Sequence, residues 1–363
     1  MDDLTGNGVP RFIRALPAQL IELSEEDAVI IRRGLTQVKV CGAGACAIAS
    51  ALYSRGTGSL TEAQLLATFS EHEKLAAKEL LTSLLSRRMF VAIPIYISCE
   101  TESPLDIFYW HFDYVAPDLR AKVETCRLIV VGVNKIALRL LQSLTNAGFS
   151  NITLIDDPIL RDLSFFTHSE LGTPSLVDWP GSIYPSAVLG PDEQCSLVAD
   201  CVIAVSDCGD QDRLRLWNRL CSARGVIFVP AVLKDFVGYI GPIVVPGQSA
   251  CLECLRGREN SNLQSVSDAR AIDALAFDGR DVVAYHPAMI GVLADVLCLE
   301  ITKVFGIRPL GQVNRCIEIN LLRSEMLSRP VLKLPFCTVC SGTNSSSVID
   351  LSNRLPTSQK AFR

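Results

Sequence analysis

The sequence predicts an α/β protein in two parts, a small module of strands followed by helices and a doubly wound, Rossmann-type domain carrying paired cysteines. Three observations support this. Residues 126–157, CRLIVVGVNKIALRLLQSLTNAGFSNITLIDD, run through an aliphatic stretch ending in glycine, a helical pattern and a second aliphatic stretch. Before them, residues 1–92 place three alternating apolar runs ahead of three helical stretches. Toward the C-terminus two CxxC pairs, Cys251/Cys254 and Cys337/Cys340, stand 86 positions apart.

A chain of 363 residues suggests about two domains, and 49% hydrophobic residues suffice for sizeable cores. The net charge of -5 carries no basic excess, which argues against a nucleic-acid partner. The start, MDDLTGNGVPRF, lacks the apolar core of a signal peptide, and no apolar run reaches about 18 residues without a charge. The expectation is a cytoplasmic protein without a membrane partner. Fourteen cysteines in such a chain are mostly small buried hydrophobes, so their spacing matters more than their number.

Taken in order, AQLIELS, DAVIIRRG and LTQVKVCG alternate apolar and polar residues and predict an antiparallel three-stranded meander. A helix follows over roughly 43–53, SRGTGSL is expected as a loop, and Thr61 is placed to cap the helix in TEAQLLATF. In HEKLAAKELLTSLLSRRMF the apolar residues Leu75, Leu80, Leu81, Leu84 and Leu85 predict a third helix. Three strands then three helices describe a winged-helix-like module. Its last helix balances Lys74, Lys78, Arg87 and Arg88 against Glu71, Glu73 and Glu79, so it lacks the basic face of a DNA reader. If LTQVKVCG lies at the sheet edge, its unpaired backbone could instead accept an extended peptide as a fourth strand.

In residues 126–157 the strand, helix and parallel strand form the opening crossover of a nucleotide-binding sheet, with Asp156 where a ribose-binding carboxylate would stand. A phosphate loop needs several glycines so that backbone NH groups can approach the phosphates. Only Gly132 remains, and Val133, Asn134, Lys135, Ile136 and Ala137 fill the turn. The favoured reading is a nucleotide fold kept as scaffold; if a nucleotide binds, Gly132, Asn134, Lys135 and Asp156 line its site. Residues 93–125, with Pro94, Pro104, Pro117 and the aromatic cluster around His111, are expected as a linker.

The two CxxC pairs place four thiolates to surround one ion tetrahedrally, and zinc prefers such a closed sulfur shell. Cys251, Cys254, Cys337 and Cys340 are therefore expected to hold a structural zinc that ties the chain's end back onto the domain of residues 126–345. Between them YHPAMIGVLADVLCLEITKVFG predicts a long apolar helix, and IEINLLRSEMLSRPVLKLP two terminal strands; 346–363 are expected to be a mobile tail. Cys208, Cys221 and Cys298 lie in apolar contexts, so no catalytic cysteine stands out.

The order of the N-terminal module, the degenerate crossover, and the segment VGYIGPIVVPGQSACLECLRGREN together resemble a branch of the ThiF/MoeB group, relatives of ubiquitin-activating enzymes. That branch serves ribosomal peptide natural products and fuses a peptide-recognition module to a ThiF-like domain. The resemblance implies that Gln37, Val38, Lys39 and Val40 pair with a precursor's leader peptide, and that Ala77, Leu80, Leu81 and Leu84 border its groove; core packing is the alternative for those four. Where the family carries an arginine that steadies the triphosphate, LSFFTH places Thr167. The family's DCxDN turn is matched by DCGDQ, which keeps Asp210, a nucleotide contact by resemblance or simply a helix cap. A homodimer is implied. The leading expectation is a partner protein that binds the leader and delivers the peptide to a separate YcaO-type cyclodehydratase. The alternative is an enzyme that uses ATP and magnesium to adenylate and cyclise its own peptide, with Lys135 or Arg161 replacing the missing contacts. A sulfur-carrier-activating enzyme fits poorly with the missing glycines and the added module.

Overall fold

The computed structural model divides the chain into two compact units, Met1–Leu119 and Arg120–Arg363. It describes residues 11–341 apart from 24–25, 35, 94–104, 106–107, 110–115, 168–174, 189–197, 208–210, 235, 263–264, 266, 269–270, 272–284 and 307–312.

The first unit opens with strand β1 (Phe12–Ala15), then the expected meander of β2 (Gln19–Leu23), β3 (Ala28–Arg33) and β4 (Thr36–Cys41), antiparallel in the order β2-β3-β4. Asp27 and Gly34, both at positive φ, make its turns. Register places Val29 opposite Val40 and Ile31 opposite Val38. Their shared face is the buried one, because side chains alternate along a strand.

Helix α1 (Ala45–Arg55) follows, then strand β5 (Thr57–Thr61), helices α2 (Glu62–Leu66) and α3 (Glu71–Ser86), and β6 (Phe90–Ile93). The glycine-containing stretch expected as a loop is thus largely a strand: β5 and β6 flank β1 in a second sheet, order β5-β1-β6. Gly58, at φ 87, and the polar TGSLT sequence hide this strand from periodicity. Thr61 caps α2 as expected, in a reciprocal box with Gln64, and Ser70 with Glu73 does the same for α3. Ile31, Leu52, Leu65, Leu81 and Leu84 are fully buried in this unit's core, each contributing roughly 1.5–3 kcal/mol.

Helix α4 (Ala116–Thr125) crosses the division between the units. The second unit then runs β7 (Arg127–Val131), α5 (Lys135–Asn146), β8 (Asn151–Asp156), β9 (Pro185–Val188), β10 (Cys201–Ser206), α6 (Gln211–Arg224), β11 (Ile227–Lys234) and β12 (Val237–Ile240). It ends with α7 (Leu252–Ser261), α8 (Pro287–Gly306), β13 (Arg315–Asn320) and β14 (Glu325–Pro330).

One eight-stranded sheet, order β14-β13-β12-β11-β10-β7-β8-β9, organises these elements. The five strands β11, β10, β7, β8 and β9 are parallel, and β12 to β14 continue the sheet antiparallel. Parallel strands covered on both faces need unbroken apolar runs, which CVIAVS in the wholly buried β10 supplies. The chain leaves β7 toward β8 on one side and reaches β10 and β11 on the other. The crevice at the C-terminal ends of β7 and β10 is therefore the topological switch point where such sheets bind ligands.

Candidate functional site

At the switch point the turn after β7 is filled by the chain itself. Asn134 is fully buried; its Oδ1 accepts the Ala137 N–H at 2.9 Å, capping α5. Its Nδ2 donates to the carbonyls of Leu160 at 3.0 Å and Val205 at 2.9 Å. One carboxamide thus ties the turn after β7 to the segment after β8 and to the end of β10. Gly132 is required for that closure: at φ 110, a Cβ there would lie 2.7 Å from the Val205 carbonyl oxygen.

Lys135 marks the open side of the turn. Its Nζ is 3.2 Å from Asp162 Oδ2 and 2.9 Å from the Tyr285 hydroxyl, and its N–H donates to Asp207 Oδ2 at 3.3 Å. Burial, with the Asp162 carboxylate adding to it, pushes Asp207 up to about 6, against the Lys135 N–H that favours the ionised form. A carboxyl raised in the fold stabilises below its unfolded value and loses that contribution as pH rises through about 6. Asp207→Asn is therefore expected to raise stability at pH 7.5 by on the order of 2 kcal/mol and to change little at pH 4, as urea midpoints would show.

The carboxylates at the end of β8 are also engaged. Asp156 is held by Arg161 through two bonds, Nε to Oδ1 and Nη2 to Oδ2, both 2.7 Å. Asp156 is buried and Arg161 largely so, and the guanidinium stacks over Phe166 at 4.6 Å. Asp157 is fully buried and accepts from Arg213 Nε at 2.6 Å and Trp217 Nε1 at 2.7 Å. Thr167 pairs with Ser175, its N–H donating to the Ser175 carbonyl at 2.9 Å. Of the residues expected to touch a nucleotide, Gly132, Asn134 and Lys135 meet at one turn, while Asp156 is closed off by Arg161. Asp210, Cys208 and His111 lie outside the described residues, as do residues 346–363.

The four cysteines come together as the spacing requires. Cys251, Cys254, Cys337 and Cys340 are all buried, with sulfurs within 4.8 Å of one another. Separations are 3.5 Å for Cys251–Cys337, 3.3 Å for Cys254–Cys340 and 3.9 Å for Cys251–Cys254. Four sulfurs about 2.3 Å from a tetrahedral ion lie about 3.8 Å apart, so the cluster can hold a metal ion with little adjustment. The Leu334 N–H donates to Cys254 Sγ at 3.4 Å, a contact suited to a thiolate. Cys251 opens α7, and the knuckle is braced from α6: Arg215 and Arg219 hold the Glu253 carboxyl below its ordinary range although burial alone would raise it.

Cys221 and Cys298 are buried, and burial pushes their thiols up to about 12 and about 11, which leaves neither as a nucleophile at neutral pH.

Among the described residues of the first unit β4 is an edge strand, with Val38 inward, Val40 half-buried, and Gln37 and Lys39 on the outer face. The Gly42 N–H bonds the Asp27 carbonyl in the ladder's register. By alternation the backbone groups of Gln37 and Lys39 point away from β3. Lys39 pairs its side chain with Glu26. Ala77, Leu80, Leu81 and Leu84 lie in the core, whereas Leu75, counted among the apolar positions of that helix, is 67% exposed.

A parallel βα sheet with a filled turn after its first strand, an antiparallel extension and a four-cysteine cluster is the architecture that the comparisons match. No protein-family model matches the chain. Escherichia coli MccB matches in its ATP-bound structure, with TM-score 0.64 and 15% identity over 91% of this chain and 99% of that one. It matches equally in its complex with MccA, with TM-score 0.63, 15% identity, and coverage of 90% and 99%. The heterocyclase TruD matches with TM-score 0.60 and 14% identity over 91% of this chain and 43% of its own. SUMO-activating enzyme subunit 2 of Dictyostelium discoideum is 28% identical over 158 residues, 37% of this chain and 22% of that protein. The chain thus spans less than half the length of TruD and about a fifth of the SUMO-activating subunit. Over those 158 residues the chain resembles a SUMO-activating enzyme subunit in sequence, and the likeness to the solved structures is one of fold.

Proposed function

We propose that this chain is a ThiF-like partner protein of bacteriocin-type ribosomal peptide biosynthesis. It binds the leader of a precursor peptide along β4 and presents the rest to a separate YcaO-type cyclodehydratase. The single observation that carries the reading is Asn134, whose side chain occupies the turn where phosphates would lie. The retained fold positions a peptide, and holding the leader supplies proximity while leaving several core residues free to react. In this reading the N-terminal module is winged-helix-like, Gln37, Val38, Lys39 and Val40 form the pairing edge, and Ala77, Leu80, Leu81 and Leu84 back the groove wall from within the core. The metal is a structural zinc held by Cys251, Cys254, Cys337 and Cys340, and the protein works as a cytoplasmic homodimer. No described helix is long and apolar enough to cross a membrane.

The test is fluorescence polarisation with the labelled leader of a candidate precursor peptide. Lys39→Pro removes an outward N–H and leaves the β3 ladder intact, a change edge strands tolerate. It is expected to weaken leader binding by about tenfold, the loss of one or two strand hydrogen bonds, with unchanged circular dichroism. Equal affinity for both proteins, or no binding by either, would contradict the reading.

One observation favours a second reading, ATP-dependent adenylation of the peptide: Lys135, Asp162 and Asp207 remain grouped at the N-terminus of α5. A nucleotide would then draw Lys135 from Asp162 onto its phosphates, and magnesium would join the carboxylates.

A further inference from the structure

The two residues between the first pair of metal-site cysteines are both tied to α6. The Glu253 carboxylate receives Arg215 on both oxygens, at 2.9 and 2.8 Å, and Arg219 at 3.0 Å. The Leu252 N–H donates to Asn218 Oδ1 at 3.3 Å. On another face of the same helix, Arg213 and Trp217, four residues apart, both donate to Asp157 Oδ2 at the end of β8. Helix α6 is therefore a strut between the cysteine knuckle and the buried carboxylate corner. Asn218 Nδ2 and Ser222 Oγ, one turn apart on that helix, are buried with no hydrogen-bond partner among the described residues. Knuckle and strut also share one buried apolar cluster, with Leu214, Trp217 and Cys221 beside Leu252, so the ion pairs of Glu253 are the directional part of the hold between them.

We propose that Glu253 is a positioning residue that couples metal occupancy at the four cysteines to the placement of α6 and, through Trp217 and Asp157, to the carboxylate corner beside the switch point. The metal then does more than fasten the chain's end: it sets the geometry of a corner on the other side of the helix. The inference rests on the zinc reading above and holds whether the corner binds a nucleotide or serves as scaffold.

Coupling between two sites is reciprocal, so a change at the corner must alter metal affinity. Zinc affinity of the full chain, measured by competition with a chromophoric chelator, is compared for wild type, Trp217→Phe, Glu253→Gln, the double variant, and Trp179→Phe as a control. Trp179 is also buried, but its indole N–H goes to the Ile183 carbonyl and its ring meets Phe165 edge-on. Trp217→Phe and Glu253→Gln are each expected to weaken zinc binding about fivefold or more, the low end of ordinary coupling, with the double variant no weaker than the weaker single one. Trp179→Phe should bind as wild type. Zinc affinity of Trp217→Phe within twofold of wild type, an equal loss in the control, or multiplicative losses in the double variant would overturn the proposal. Failure of the wild type to bind zinc at all would instead overturn the metal reading beneath it.

Discussion

Cys254→Ser is expected to strip the second unit of its metal and to cost on the order of 5 kcal/mol or more, comparable to the whole stability of an ordinary domain. The four sulfurs come from α7 and from the segment after β14. An ion held by them would close a loop of more than eighty residues and fasten the segment after β14 to α7. Without it, three buried thiols face a hydroxyl in a shell built for thiolates. Zinc content by elemental analysis should fall from one per chain to none, and the urea midpoint should fall with it. Prolonged chelation of the wild type should give the same midpoint, since both routes end in the same apo state. A serine variant of wild-type stability would make the cluster a set of packed thiols.

The second large effect is expected at Asp156→Asn. The carboxylate and Arg161 satisfy each other through two 2.7 Å bonds in a buried setting. Removing one charge leaves the guanidinium buried without its partner, a change that costs about 3–5 kcal/mol. Pairing the change with Arg161→Met should recover part of the loss, because replacing both members of a buried pair is far milder than breaking it. Denaturant unfolding of the two variants checks this. A ribose-binding carboxylate would behave differently: its neutralisation would weaken nucleotide binding and barely move stability.

Much of the second unit was legible because its strands are aliphatic runs between glycines, and parallel strands buried on both faces leave such runs. The four-cysteine cluster was legible because two CxxC pairs have few other uses. The meander was legible from its alternation, with β4 at the edge as required. Other features depended on contacts between distant residues. TGSLT has no apolar period and becomes a strand only because β1 offers it an edge. The partnership of Asp156 with Arg161 is short in sequence, yet an acid at the end of the second strand carries a ribose expectation that hides it. Asp157, next to it, went unread, although an aspartate pair at that strand end with arginine and tryptophan four apart in a later helix was the available signal. Asn134 was read as a residue displacing a needed glycine; that its side chain fills the space depends on carbonyls 26 and 71 residues away.

The most direct test of the account is titration calorimetry of the full chain with ATP and magnesium, with and without a candidate precursor peptide. The account predicts peptide binding and no heat from ATP at millimolar nucleotide in either condition, because Asn134 holds the turn that phosphates would need. Saturable ATP binding, above all binding that appears only once the peptide is present, would contradict it and make the chain an adenylating enzyme with an unusual phosphate turn.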